Sequence, residues 1–413
     1  MDTRHRPSSG LLSNDAVGAP VIENKTVVVL GGGVGGLVAA STLRKKLPNQ
    51  HRVVLVERER NHLFAPSLLW LITGKRTRRQ ISRPLARLSR TDVEIVQGEI
   101  ERIDPHARRI QIVESTPNGP STREIEADYL VVSLGAELDE DAIPGLAQAG
   151  HSFYTVGGSE SLRDALEKFT GSRVLVLTAT PAYKCPAAPY EAAMLINAHL
   201  RKRHRGEEAR VDIYTAEPVP LGVAGPEVSA GVRDMITSAG IGHFPDHQVV
   251  SVEPGERRVD FADGVTADFD LLAYVPPHRA PRVVREARLV DDSGWVPVDR
   301  NTLHTSFPGV YAIGDITSIP LVMGKPLPKA GVFAEREAKV VAHNIANEIV
   351  GKSDQTVFTG HGECFIETGS GKAGFGRGDF YAEPAPQIAL RKPGIRWHLA
   401  KVLFEKNWLR RRF

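Results

Sequence analysis

Only two thiols occur in the 413 residues, at Cys185 and Cys364. That is too few for a disulfide scaffold, so they are read either as reactive or paired thiols or as small buried hydrophobes. Cys185 has the more suggestive surroundings. Lys184 precedes it, Pro186 follows, Pro189 comes one turn on, and helical sequence runs from Tyr190 to about His199. A thiol beside a lysine at a helix N-terminus is expected to have a lowered pKa, because the ammonium and the positive end of the helix both favour the thiolate. Glu191, in the first turn, is either a dipole-favoured residue or a proton-handling group.

A second cluster is built to hold a nucleotide. The β-branched run TVVVL at 26–30 leads directly into GGGVGG at 31–36, and LVAASTLRKKL follows with helical periodicity. Strand, glycine turn and helix are the context that a GxGxxG match requires. Gly31 permits the tight turn, Gly33 lets backbone approach a pyrophosphate, and Gly36 lets the helix pack on the strand. Val34 and Gly35 open the helix whose N-terminus faces the phosphates. RVVLV at 52–56 is the next strand, ending in Glu57 at the position expected to bind a ribose 2′-hydroxyl. Two further strands, DYLVVSLGA at 128–136 and PGVYAIGD at 308–315, end in small-residue turns. They resemble the second and third FAD motifs of the two-dinucleotide-fold flavoproteins. With the residues that the resemblance to these flavoproteins adds, Arg58, Ile100 and Lys329, the candidate cofactor-binding set is Gly31, Gly33, Val34, Gly35, Gly36, Glu57, Arg58, Ile100, Ser133, Gly135, Gly314, Asp315 and Lys329.

The elements that must position these residues define an α/β chain. Because the FAD motifs are far apart in sequence, the first dinucleotide-binding domain is expected to be split around an inserted, NAD-like Rossmann domain. A flexible extension is expected over 1–24, and the FAD domain in two stretches, 25–150 and 299–350. The second Rossmann-like domain is expected between them over 151–298, and a C-terminal α+β region with an amphipathic helix over 351–413. In the second domain RVLVLT at 173–178 should continue into a glycine loop. ATPAYKCPAAPYEAA follows instead, so NAD(P)H binding in the usual mode is disfavoured.

From about Lys25 onward the chain resembles the sulfide:quinone oxidoreductases and the related flavin subunits of flavocytochrome c sulfide dehydrogenase. The resemblance rests on KCPAAPYEAA at 184–193, PKAGVFAEREAKVVAHNI at 328–345, GECFIETGSGKAGF at 362–375 and WHLAKVLFEKNWLRR at 397–411. It implies FAD as cofactor, with sulfide and a quinone or cytochrome acceptor as partners. It also implies a redox pair of Cys185 and Cys364 beside the flavin, with Glu191 and Lys329 as further catalytic groups and Phe365 at the quinone mouth. Lys329, near a helix start after Pro328, would stabilise reduced flavin. Where many bacterial members carry a third cysteine, this chain has Tyr154, which excludes flavin attachment there. Two other functions remain open at this point: a type II NADH:quinone oxidoreductase, which shares the NHLFAPSLL style of segment at 61–69, and a non-catalytic flavin redox sensor.

The net charge of +3 conceals an asymmetry, since residues 391–413 alone carry a net of +7. A mildly acidic globule with a basic tail points to an anionic surface rather than nucleic acid. No run is apolar enough to span a bilayer, and the first residues lack the apolar stretch of a signal peptide. Peripheral, monotopic membrane association on the cytoplasmic side is expected, with the oligomeric state left open and self-association included. Projected as one helix, 395–413 puts Ile395, Leu399, Val402, Leu409 and Phe413 on one side, expected to dock on the protein. Trp397, Phe404 and Trp408, with Lys401 and Arg411, form the side expected to meet lipid headgroups.

Overall fold

The computed structural model describes residues 23–203 and 209–413, without the side chains of Ser89 and Arg90. The extension expected over 1–24 lies outside them except for its last two residues. Ten strands build two parallel sheets: β1 (Thr26–Leu30), β2 (Arg52–Glu57), β3 (Glu94–Gln97), β4 (Tyr129–Val132), β5 (His151–Ser152), β6 (Arg173–Thr178), β7 (Arg210–Thr215), β8 (Gly242–Phe244), β9 (Leu271–Val275) and β10 (Val310–Ala312). The first sheet runs β10-β4-β1-β2-β3 and the second β5-β9-β6-β7-β8. β10 thus returns to the first sheet, beside β4, after the second sheet is complete.

Both sheets follow one physical plan. The β1 run Val27–Leu30 is fully buried, as a parallel strand covered on both faces must be. Above it lie α1 (Val34–Lys46) and α3 (Gly331–Ile349), whose Leu37, Leu43, Val341 and Ile345 share one core. Each such leucine or isoleucine contributes about 1.5–3 kcal/mol of burial. In the second sheet β6 leads into α2 (Ala188–Lys202), which is longer than the sequence suggests and packs Tyr190, Met194 and Ile196 onto the strands.

The chain ends in an antiparallel sheet of β11 (His361–Gly369), β12 (Lys372–Asp379) and β13 (Gln387–Gly394), followed by α4 (Ile395–Arg411). The fold is therefore the expected α/β architecture of two Rossmann-like units with a C-terminal α+β region. The faces of α4, however, are only in part those expected: Leu409 and Phe413 do pack on the protein and Phe404 does face outward, but others differ. Ile395, Leu399 and Leu403 are 61%, 59% and 58% exposed and Phe404 is 43% exposed, whereas Lys401, Glu405, Trp408 and Leu409 are buried. The docking face is held largely by ion pairs: Arg76 and Ser67 clasp Glu405, and Lys401 meets Glu191. Helical projection misassigned it because the compensating charges come from distant segments. Among the described residues no helix is long and apolar enough to cross a membrane.

Candidate active site

In the first unit the strand-to-helix turn forms an open cradle. Gly31 has φ +95°, and a Cβ on it would stand 2.6 Å from the Ser133 carbonyl oxygen; on Gly36 one would stand 1.8 Å from the Gly31 oxygen. A side chain at either position would clash with backbone. A Cβ on Gly33 would meet nothing within 4 Å. Gly33 is also the N-cap of α1, which has no side-chain cap, so the N–H groups there face open space. Glu57 ends β2, with its Oε2 accepting the Gly32 N–H at 2.5 Å. Across the cradle, Asp315 Oδ1 is buried without a hydrogen-bond partner. Burial pushes its carboxyl up, while Lys184 and Lys329 pull it down. An orphaned buried acceptor beside a glycine cradle fits a cofactor with ribityl and phosphate groups.

Val34 and Gly35 open α1, and Gly135 and Gly314 sit in left-handed turns at the ends of β4 and β10. Ser133 Oγ donates to the Leu30 and Gly31 carbonyls, fixing the loop from below. Arg58 pairs with Glu99 at the surface, and the Ile100 side chain belongs to the core beneath the sheet. Lys329 lies two residues before α3, and its ammonium donates to the carbonyls of Asp315 and Thr317 and rests 3.5 Å from the centre of the Trp295 ring. Burial lowers its pKa to about 8 against the pull of Asp315 and Glu337.

The second unit has no cradle. Its loop carries Tyr183, 3% exposed, and Cys185 at φ +55°, pinned where the Cys185 N–H donates to the Lys329 carbonyl at 2.6 Å. Tyr154 donates its hydroxyl to the Lys184 carbonyl, bracing the loop from the other side. Cys185 and Cys364 are both free thiols and line one largely apolar cavity of about 380 Å³. Pro186, Leu221, Lys329, Phe333 and Ile366 share that wall.

The expected lowering of the Cys185 pKa is not what the site does. Burial pushes the thiol well up, Cys364 pushes it further, and the opposing cation is Lys401 rather than Lys184. Cys185 lies two residues before the N-cap of α2, in a closed environment where desolvation outweighs the helix end. Cys364 has accessible surface, but that surface faces the cavity, and burial within the surrounding envelope pushes it up to about 12.

Glu191 is 2% exposed and forms an ion pair with Lys401 at 2.7 Å while accepting the Glu367 N–H at 2.8 Å. Glu367, fully buried, holds His398 at 3.0 Å. A charged chain thus runs from beside the thiols to the base of α4. Sequence reasoning found Glu191 but missed Lys401, Glu367 and His398 as its partners, since nothing local marks a contact across 210 positions. Strand alternation separates two chemistries on β11: Cys364 and Ile366 line the cavity, whereas Phe365 turns to an aromatic group with Phe375 and Phe404. The segment at 61–69 has its own role. His62 bridges the Gly32 carbonyl and the Trp408 indole N–H, tying the end of α4 to the glycine loop.

The chain belongs to the pyridine nucleotide-disulphide oxidoreductase family, whose description matches residues 25–338. It is an oxidoreductase with a flavin-type cofactor. Within that class it is 29% identical to the sulfide-quinone reductase of Aquifex aeolicus, over 93% of this chain and 90% of that protein. The mitochondrial sulfide:quinone oxidoreductase of Mus musculus is 24% identical over 87% of this chain and 79% of its own. The X-ray structure of the Aquifex aeolicus enzyme superimposes with a TM-score of 0.83 at 28% identity, covering 93% and 90% of the two chains.

Proposed function

We propose that this chain oxidises sulfide to sulfane sulfur at a pair formed by Cys185 and Cys364, and passes the electrons through FAD to quinone. One observation carries this: two free thiols 179 positions apart open into a single apolar cavity beside Lys329, in a chain whose second nucleotide loop is filled by side chains. The cradle at Gly31, Gly33 and Gly36 with Glu57, Ser133, Gly135, Gly314 and Asp315 would hold FAD, which supplies the two-electron acceptor when bound. Val34 and Gly35 border that site and Arg58 follows Glu57, while the Ile100 side chain lies in the core beneath.

The two free thiols are the reduced form of the pair; in the oxidised form, poorer by two electrons and two protons, a sulfur bridge joins them, and hydrosulfide attacks it, leaving a persulfide on one cysteine and a thiolate on the other. Reclosure of the pair, with the new sulfur retained, releases two electrons and one proton. The apolar walls exclude water and protect the persulfide. Lys401 balances charge on Glu191 and the thiols, and Lys329 offers a cation where electrons leave. Phe365 and Phe404 form the apolar approach for quinone. The exposed Ile395, Leu399, Leu403 and Phe404, amid the basic residues of α4, rest on an anionic bilayer surface. The division at 25–150, 151–298, 299–350 and 351–413 describes the same arrangement in sequence terms.

Anaerobic mixing with hydrosulfide tests the proposal. Rapid bleaching of the oxidised flavin is the expected result. Bleaching by NADH instead would favour a type II dehydrogenase, and bleaching by neither would favour a redox sensor.

A further inference from the structure

The two parallel sheets share one strand plan, so their strands correspond by position. β6 stands where β1 stands, and β7 where β2 stands. Glu57 closes β2, and Glu217 lies two residues beyond the end of β7. In the first unit the acid looks onto an open cradle. In the second it has been enclosed. Tyr183, in the loop that replaces the glycines, donates its hydroxyl to Glu217 Oε2 at 2.8 Å; Tyr190, on α2, donates to the same oxygen at 3.1 Å. Tyr190 is fully buried, so the space a second nucleotide would need is taken by phenol rings. Glu217 nevertheless has an outlet, because with Tyr183 it lines the cavity shared by Cys185 and Cys364.

We propose that Glu217, held by Tyr183 and Tyr190, is the proton acceptor of the sulfur cavity. The assignment rests on the sulfide oxidation proposed above. When the cysteine pair recloses, the S–H bond of the persulfide breaks, a sulfur–sulfur bond to the second cysteine forms, and two electrons leave to the flavin. The proton forms an O–H bond on the Glu217 carboxylate and no electrons change hands there. The rest of the cavity supplies few acceptors: its walls are largely apolar, and Glu363 is engaged by Arg336 and Arg377.

The groups facing Glu217 fix the sign of its pH response. Tyr183 faces it from the loop, Tyr190 from α2 and Lys325 from the segment before α3, while Cys185, Cys364 and Lys329 lie around the cavity. Burial pushes the carboxyl up to about 6, against the two phenol hydrogen bonds and Lys325. It is therefore ionised and ready to accept a proton at pH 7, and loses that capacity as pH falls through about 6.

The test is single-turnover flavin reduction across pH 5–9, at a fixed concentration of the hydrosulfide anion, in the FAD-loaded protein. Wild type should slow as pH falls through about 6. Glu217→Gln should be about a hundredfold slower at pH 7.5 and lose that limb, and Glu217→Asp should restore some of both. Tyr183→Phe removes one hydrogen bond to the carboxylate and should move the limb to higher pH; it keeps the assignment testable if Glu217→Gln fails to fold. A Glu217→Gln protein with the wild-type rate and limb overturns the assignment, as does an unmoved limb in Tyr183→Phe. A wild-type protein that hydrosulfide does not bleach overturns the sulfide oxidation itself, and the assignment with it.

Discussion

The two Rossmann-like units differ at one turn. After β1 the chain spends glycines to leave a hollow, and a Cβ at Gly33 would touch nothing. After β6 it places prolines, Tyr183 and Cys185, and the hollow is filled and tied by a hydrogen bond to the Lys329 carbonyl. The same topology thus gives an open glycine cradle in one unit and a wall of the cavity shared by the two thiols in the other. The sheet sets where a site falls, at the carboxyl ends of its strands, while the residues of one loop set its chemistry.

The most severe way to break this contrast is to remove the thiols. Cys185→Ser and Cys364→Ser should each slow hydrosulfide bleaching of the flavin by at least about a thousandfold, as expected for loss of a nucleophile. FAD content, read from the visible spectrum, should stay at the wild-type level, because neither side chain touches the cradle. Full activity in either variant would remove the cysteine pair from the mechanism.

The reciprocal change fills the first hollow. Gly33→Val should fold, since its Cβ meets open space, yet lose flavin affinity by at least about tenfold, or 1.4 kcal/mol. Equilibrium dialysis with FAD checks the affinity, and circular dichroism checks the fold. Retained flavin would mean that the phosphates do not pass over Gly33.

An effect on stability, with the flavin cradle left intact, should come from the ion chain that joins the second unit to α4. Lys401→Met leaves Glu191 buried and unpaired, at a cost of about 3–5 kcal/mol, visible as a lower denaturation midpoint. The double variant Lys401→Met with Glu191→Gln should recover most of that loss. Without recovery, the ion pair is not what holds α4 to α2.

How much of this was legible in the sequence depended on distance along the chain. The glycine loop is contiguous, so its strand, turn and helix declared themselves together. The pairing of Cys185 with Cys364 came only through resemblance. The thiol pKa was misjudged because local reasoning sees Lys184 and the helix end but not the distant elements that desolvate Cys185. Ile395, Leu399, Lys401 and Trp408 of α4 were assigned to the wrong faces for the same cause: an apolar stripe is visible in sequence, whereas Glu191, Ser67 and Arg76, which hold the polar side, are not. Glu217 carries no local signal, and its standing emerged only when β7 could be laid against β2.

The finest test lies where the two units meet. Lys329 touches both, through its carbonyl to Cys185 and its ammonium to the Asp315 and Thr317 carbonyls. Burial lowers its pKa to about 8, so the fold binds this proton less tightly than the unfolded chain does, and the site contributes more stability as pH rises through about 8. Below that pH the buried cation favours negative charge arriving on a neighbouring flavin and raises its midpoint potential. In the FAD-loaded protein, the plot of midpoint potential against pH should bend near pH 8, and Lys329→Met should lower the potential and remove the bend. A bend that survives in Lys329→Met would belong to another group.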